Sequence, residues 1–308
     1  MYTEFKNLWV EKYRPEKLAD LLLSKASEDI IASFANKKEI PHILLTGPPG
    51  IGKTSLAKIL VNEILACQYL YINASDENGI DTIRSKITSF AKTKSIDGNI
   101  KVIILDEADA MSGEAMRALR NITEEYSDIT RFILTGNYRY KIITAMLSRC
   151  QLIELQPPID KVVVRCFNIL RKEQIKVSEE AKKSFITFIK AMYPDVRRCI
   201  NELQKFSCTG ELKITETNHN EFLEKLYKLI QAKSYTELRT ELIEKEQTFC
   251  GDYITVLRSL FNYIDKIEPV SDKKRKQLLV IADGIYRAAF VADQEINCYA
   301  TCVALSEC

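Results

Sequence analysis

The sequence predicts an α/β domain with a parallel sheet covered by helices, then a small helical domain, then an all-helical C-terminal domain. Two observations carry that reading. From about 42 to 155, short β-rich runs alternate with stretches of helical periodicity, and after Gln156-Pro157-Pro158 no convincing strand follows. A chain of 308 residues also exceeds one ordinary domain and suits two or three, each burying its own core.

In chain order, the strand candidates are HILLTG (42–47), YLYINA (69–74), KVIILD (101–106), RFILTG (131–136) and QLIEL (151–155). Helical patterns such as SLAKILVNEIL and GEAMRALRNITEEY fill the gaps, as crossover connections between parallel strands require. The near-continuous apolar character of VIIL and FILT suits central strands covered on both faces. Residues 159–206 read as three helices, the last opening after Pro194 with Asp195 in its first turn. The polar stretch CTGELKITETNHN (208–220) reads as a linker. From 221 to 308 the pattern is again helical: EFLEKLYKLIQ, YTELRTELIEKE, DYITVLRSLFNYIDKI, DKKRKQLLVIADGIYRAAF and a Cys/Ala-rich last helix. The expected domains are therefore 1–156, 157–210 and 221–308.

The apolar fraction of 46% and charged fraction of 28% are those of a soluble globular protein. Net charge is +2, so any nucleic-acid binding must come from locally focused Lys and Arg. No apolar run reaches the roughly 18 residues of a membrane span. The opening MYTEFKNLWVEKYRPEK has no apolar core of a secretory signal. Nine cysteines are scattered without a CxxC pair, which disfavours a zinc ribbon and a secreted disulfide framework, and suits buried reduced thiols in a cytosolic protein.

The chemistry starts at GPPGIGKTS, which spans Gly47, Pro48, Pro49, Gly50, Ile51, Gly52, Lys53, Thr54 and Ser55. This matches the phosphate-binding pattern G-x-x-x-x-G-K-[ST] at full spacing, after a predicted strand and opening a predicted helix. Glycines permit a turn whose N–H groups converge on phosphate oxygens, and the helix dipole adds to their field. Lys53 is placed to reach the β- and γ-phosphates of ATP, and Thr54 to put its hydroxyl on Mg²⁺. In LDEAD (105–109), Asp106 ends an apolar strand where its carboxylate can meet the metal's coordination sphere. Glu107 is then the candidate to orient or deprotonate an attacking water. Asn137, at the end of the fourth strand, either holds that water or the γ-phosphate, or is a turn asparagine. Arg149, between Ser148 and Cys150 at the start of the fifth strand, is either a capping or solvated side chain or a charge aimed at a partner.

With these residues in place, the chain resembles a clamp-loader ATPase of the AAA+ superfamily, of the replication factor C small-subunit or tailed-phage kind. WVEKYRP (9–15) resembles the segment that covers the adenine, so Val10, Tyr13, Arg14 and Pro15 are expected on the nucleotide. NASDENGIDTIR (73–84) resembles the family's second-strand and DNA-facing helix segment. PDVRRCINEL (194–203) resembles the lid helix carrying a nucleotide-sensing arginine, here Arg197. The resemblance implies an AAA+ domain, a lid and an oligomerising collar. It also implies that Arg149 is an arginine finger entering a neighbouring subunit's ATP site. Phosphoryl transfer calls for such an extra positive charge, and fingers contribute roughly 10³–10⁵ in rate.

Two departures stand out. Met116 occupies the position where the family often carries a glutamine that couples DNA contact to the catalytic site. The zinc module of bacterial loader subunits needs a cluster of cysteines, and the ATPase domain has only the scattered Cys67 and Cys150.

Arg84, Arg139 and Lys141 fall near predicted helix starts and are candidates for phosphate contacts on primer–template DNA, or else simply solvated. In SFAKTKSIDG (89–98), Phe90 and Ile96 match where the family contacts its ring-shaped clamp, and both are equally suited to a core. The expected function is an ATP- and Mg²⁺-dependent ATPase within a ring-like, five-subunit assembly that opens a sliding clamp and loads it on primer–template DNA. The expected setting is the replication fork, in the cytoplasm of a bacterial or phage-infected cell or in a eukaryotic nucleus. An AAA+ helicase or initiator would want a dedicated DNA-binding domain, for which 221–308 shows no recognition-helix signature. A nucleotide-binding scaffold is disfavoured by Lys53, Asp106 and Glu107 occurring together.

Overall fold

The computed structural model describes residues 8–75, 80–93, 100–212, 219–246, 249 and 251–308. All five strands form at the predicted places: β1 (Ile43–Thr46), β2 (Tyr69–Asn73), β3 (Lys101–Asp106), β4 (Thr130–Gly136) and β5 (Gln151–Glu154). They make one parallel sheet in the order β2-β3-β4-β1-β5. The central strands β1, β3 and β4 are buried almost throughout, whereas the edge strands β2 and β5 are half-exposed. That is the burial that continuous apolar runs in the middle and mixed runs at the edges require.

Side chains alternate between the faces. Ile43, Leu45, Val102, Ile104, Ile133 and Ile153 pack on one face with Leu56, Leu60 and Val61 of the helix after β1 and with Ile31 and Phe34. That helix, α3 (Lys53–Ile59), runs on through one π-helical stretch, Leu60–Ile64. Ile31 and Phe34 belong to α2 (Lys25–Lys37), which is capped by the Ser24 hydroxyl accepting from Ser27 N–H; α1 (Trp9–Lys12) precedes it. Leu44, Ile103, Leu105, Phe132 and Leu134 point to the other face. There they meet Ile87 of α4 (Ile80–Lys92), Met116 and Leu119 of α5 (Gly113–Glu125), and Met146 of α6 (Thr144–Leu147). Met116 is 1% exposed, so at this position the chain has a core side chain, not a surface coupling group.

Helices α7 (Ile159–Lys172), α8 (Glu179–Met192) and α9 (Val196–Phe206) enclose a second core of Val162, Cys166, Ile169, Phe185, Ile189 and Leu203. Trp9 and Tyr13 from the N-terminal segment complete it. Asp195 lies one step outside the helix it was expected to open: it is the N-cap of α9, its carboxylate accepting from Arg198 N–H at 2.9 Å. Residues 211 and 212, expected in the linker, belong to this packing instead. Leu212 N–H donates to Lys176 O at 2.8 Å, and the Leu212 side chain is buried in the same core.

The chain divides into two compact units, Met1–Ile214 and Thr215–Cys308. The second holds α10 (His219–Gln231), α11 (Tyr235–Glu244), α12 (Tyr253–Ile267), α13 (Asp272–Ala288) and α14 (Gln294–Leu305) around Leu226, Leu238, Leu242, Leu257, Leu260 and Ile281. Each such side chain contributes about 1.5–3 kcal/mol on full burial. Helices α13 and α14 meet at Gly284, where a Cβ would fall 2.3 Å from the Thr301 hydroxyl. Among the described residues the cysteines are free thiols, and no helix is long and apolar enough to cross a membrane.

Candidate functional site: a phosphate loop beneath a helical lid

The site lies at the C-terminal ends of β1, β3 and β4, where an open parallel sheet offers its crevice. Gly47, Gly50 and Gly52 all have positive φ, 141°, 74° and 98°, so the loop takes a path that other residues rarely follow. Gly50 is further constrained, because a Cβ there would fall 1.8 Å from Asp195 Oδ1. Arg197 N–H donates to Gly50 O at 3.2 Å, so the N-terminus of α9 rests directly on the phosphate loop.

Lys53 opens α3 and is 8% exposed. Its ammonium donates to Gly47 O (2.9 Å), Pro48 O (2.7 Å) and Asn137 Oδ1 (2.8 Å), which uses all three of its protons. Burial lowers its pKa to about 8, against the opposing pull of Asp109 and Asp106.

Asp106 is 7% exposed and accepts from three hydroxyls. Thr54 Oγ1 lies 2.8 and 2.9 Å from its two oxygens, Thr135 Oγ1 2.5 Å from Oδ1, and the Tyr71 phenol 2.7 Å from Oδ2. Burial and the Asp106 carboxylate raise the Tyr71 pKa well above its ordinary value, so the phenol stays a proton donor. The Thr135 hydroxyl also accepts from Glu107 N–H at 3.1 Å. Glu107 itself adopts left-handed backbone at φ 56°, a conformation of order 1–3 kcal/mol above the usual ones, and is exposed beside the cleft. Asp109 fixes the opposite wall, accepting from Asn137 N–H and Tyr138 N–H, both at 3.0 Å. The buried Asp106 carboxylate and the half-buried Thr54 hydroxyl fit a small hard divalent cation, for which oxygen ligands are the preferred set. Among the described residues no cluster of His, Cys, Asp and Glu offers a further metal site.

The cleft is lined by Val10, Tyr13, Arg14, Pro15, the loop from Pro49 to Ser55, Asp106, Glu107, Asn137 and Arg197. Gly47 and Pro48 contribute the carbonyls that hold Lys53. Tyr13 is fixed by donating to Glu173 (2.5 Å) and by Arg165 donating to its carbonyl (3.0 Å), and Trp9 N–H donates to Gln204 (2.9 Å). The lid thereby positions the segment expected on the adenine. Arg149 lies outside the cleft, paired with Glu124 and donating to Ala145 O at 2.8 Å. Arg139 and Lys141 stand on a short exposed 3₁₀ turn directly after Asn137. Arg84 falls in α4, with its side chain outside the described residues, and Ile96 lies outside them altogether. Phe90 is half-buried against the sheet core, with the Lys101 ammonium 4.3 Å from its ring centre.

Sequence reading missed Tyr71, Thr135, Asp109 and Asp195. Strand parity could have found the first two, since the same face that carries Asp106 carries them.

A phosphate loop, a strand-end Asp-Glu pair and a strand-end asparagine beneath a three-helix lid define a P-loop ATPase of the AAA class. The family model of the "ATPase family associated with various cellular activities" matches residues 43–158, and that of the "Sliding-clamp-loader large subunit, AAA+ ATPase lid domain" matches 158–214. The replication factor C small subunit of Staphylothermus marinus is 36% identical over 305 residues, covering 94% of this chain and 92% of the relative. That of Methanococcus vannielii is 32% identical over 303 residues, covering 94% and 95%. Replication factor C subunit 3 of Saccharomyces cerevisiae is 41% identical over 207 residues, 65% of this chain and 60% of the relative. The chain belongs to the replication factor C small-subunit family of AAA+ clamp-loader ATPases. A solved structure of Thermotoga maritima RuvB, 17% identical with a TM-score of 0.52 over 75% of this chain and 85% of that one, shares the fold.

Proposed function

We propose that this chain is an ATP-hydrolysing motor subunit that, within a ring of five loader subunits, opens a sliding clamp and closes it around primer–template DNA. One observation carries the reading. The hydrolytic groups Lys53, Asp106, Glu107 and Asn137 converge within one cleft, while Arg149 lies outside its lining and is held by Glu124. An arginine that cannot serve its own site is suited to serve a neighbour's.

In this mechanism Lys53 exchanges its carbonyl partners for phosphate oxygens, and the N–H groups of Gly50 to Thr54 cradle the phosphates. Thr54 and Asp106 would hold Mg²⁺, which when bound would neutralise charge on the phosphates. Glu107 orients the attacking water and takes its proton. Asn137, released from Lys53, reports the γ-phosphate. A neighbour's Arg149 stabilises charge on the transferring group. Val10, Tyr13, Arg14 and Pro15 cover the base, and Arg197 reads the phosphates from the lid. Loss of the γ-phosphate then loosens subunit contacts and releases the loaded clamp.

The domains are an ATPase domain at 1–156, a lid from 157 to about 212, and a collar at 221–308 that assembles the ring. Exposed Leu279, Tyr286 and Phe290 on and just after α13, spaced to share one helix face, support the collar assignment. Arg84, Arg139 and Lys141 contact DNA phosphates, and the 89–98 segment meets the clamp through Phe90 and Ile96. The protein works at the replication fork. The test is ATP turnover with clamp plus primer–template DNA, set against four-way junction DNA and against no DNA. Stimulation by the first combination is expected. Stimulation by junction alone would transfer the chain to the helicase reading.

A further inference from the structure

The grip on Asp106 includes two hydroxyls that the proposed mechanism leaves idle, those of Thr135 and Tyr71. In the parallel pair β2–β3, Tyr71 stands opposite Ile104 and Asn73 opposite Asp106, so by period-two alternation Tyr71 and Asp106 share the face covered by α3. From one rung lower, the phenol reaches along the strand and donates to Asp106 Oδ2 at 2.7 Å. The ring is 37% exposed, and the Lys58 ammonium of α3 lies 4.5 Å from its centre. Packing alone would leave the hydroxyl of such a half-exposed ring in water, yet here it is turned inward onto a carboxylate. Thr135 donates to the other oxygen, Oδ1, at 2.5 Å. A hydroxyl at each oxygen fixes rotation about the Asp106 Cβ–Cγ bond, while Thr54, bonded to both, remains free to offer its oxygen lone pair to a cation.

We propose that Tyr71 is a positioning residue for the divalent cation of the nucleotide complex, holding the Asp106 carboxylate in the plane that the cation's shell requires. This rests on the Mg²⁺–nucleotide reading of the cleft. Partners in this outer position set ligand orientation, and their loss typically weakens metal binding about tenfold or more.

The experiment uses the full chain and measures fluorescent-ADP affinity against free Mg²⁺, with no turnover involved. Without Mg²⁺, Tyr71→Phe should bind ADP like the unsubstituted protein. The Mg²⁺ concentration giving half the affinity gain should rise about tenfold. Tyr71→Leu, which also removes the ring, should show the same rise whatever its melting temperature, separating lost packing from the lost donor. In an Asp106→Asn background, Tyr71→Phe should add nothing further. An unchanged Mg²⁺ midpoint in the Phe variant overturns the proposal, as does a shift that persists in full without the Asp106 carboxylate. If ADP affinity of the unsubstituted protein does not respond to Mg²⁺ at all, the metal–nucleotide reading fails with it.

Discussion

Nucleotide binding should take up a proton at alkaline pH, and Lys53 fixes how much. In the folded chain, burial holds its pKa at about 8, below the ordinary 10.5. Phosphate oxygens would favour the charged form and restore the value to about 10.5 or above. At pH 8.5 a group with a pKa of 8 is about one-quarter protonated, so binding should draw in about 0.75 proton; at pH 7 the uptake falls to about 0.1. Over the same window the affinity should fall about tenfold between pH 7 and pH 9, because only the protonated lysine binds well. The sign for folding itself is opposite. Its native state holds fewer protons on Lys53 than the unfolded chain between pH 8 and 10.5, so this residue makes stability rise with pH there. The assay is isothermal calorimetry with a non-hydrolysable ATP analogue and Mg²⁺ in two buffers of different ionisation enthalpy. At pH 8.5 the nucleotide is fully ionised, its last phosphate ionisation lying near about pH 6. Identical heats in both buffers at pH 8.5, with a flat affinity from pH 7 to 9, would refute the assignment.

Arg149→Ala should preserve fold and ATP affinity while reducing clamp- and DNA-stimulated turnover by roughly 10³-fold or more. Mixing it with Lys53→Ala subunits should restore part of the activity; no recovery at any ratio, with mixed assembly confirmed by mass, would sink the trans reading. Arg139→Ala and Lys141→Ala should each weaken DNA binding alike across sequences and lower the slope of log affinity against log salt by about one; an unchanged slope removes them from the DNA surface. Gly50→Ala should cost about 1–3 kcal/mol from its positive φ alone and lower nucleotide affinity besides, because its methyl collides with the Asp195 carboxylate. Wild-type melting and affinity in that variant would show that the lid does not rest on the loop.

The sheet was legible because its strands are short apolar runs set off by turn residues, and burial on both faces leaves little freedom in what such runs can be. The phosphate loop was legible because its chemistry demands fixed spacing. What escaped was set by tertiary neighbours. Leu212 sits in a polar-looking stretch, and only its place beneath Lys176 makes it core. Asp109 reads as the end of DEAD, whereas its carboxylate serves two amides 28 and 29 residues further on. Tyr71 reads as a strand aromatic until the β2–β3 register puts it below Asp106. Such pairings leave no local pattern.

The contact between Gly50 and Asp195 constrains how this protein can change over generations. Each of the two residues belongs to a different module, one matched by the ATPase model and one by the lid model. Because no room for a single methyl group separates them, a side chain added at position 50 calls for a change at position 195. A chimera joining this loop to a lid with a bulkier cap would fail at that seam however well each half folds. Substitutions at these two positions are therefore coupled across the boundary between the modules.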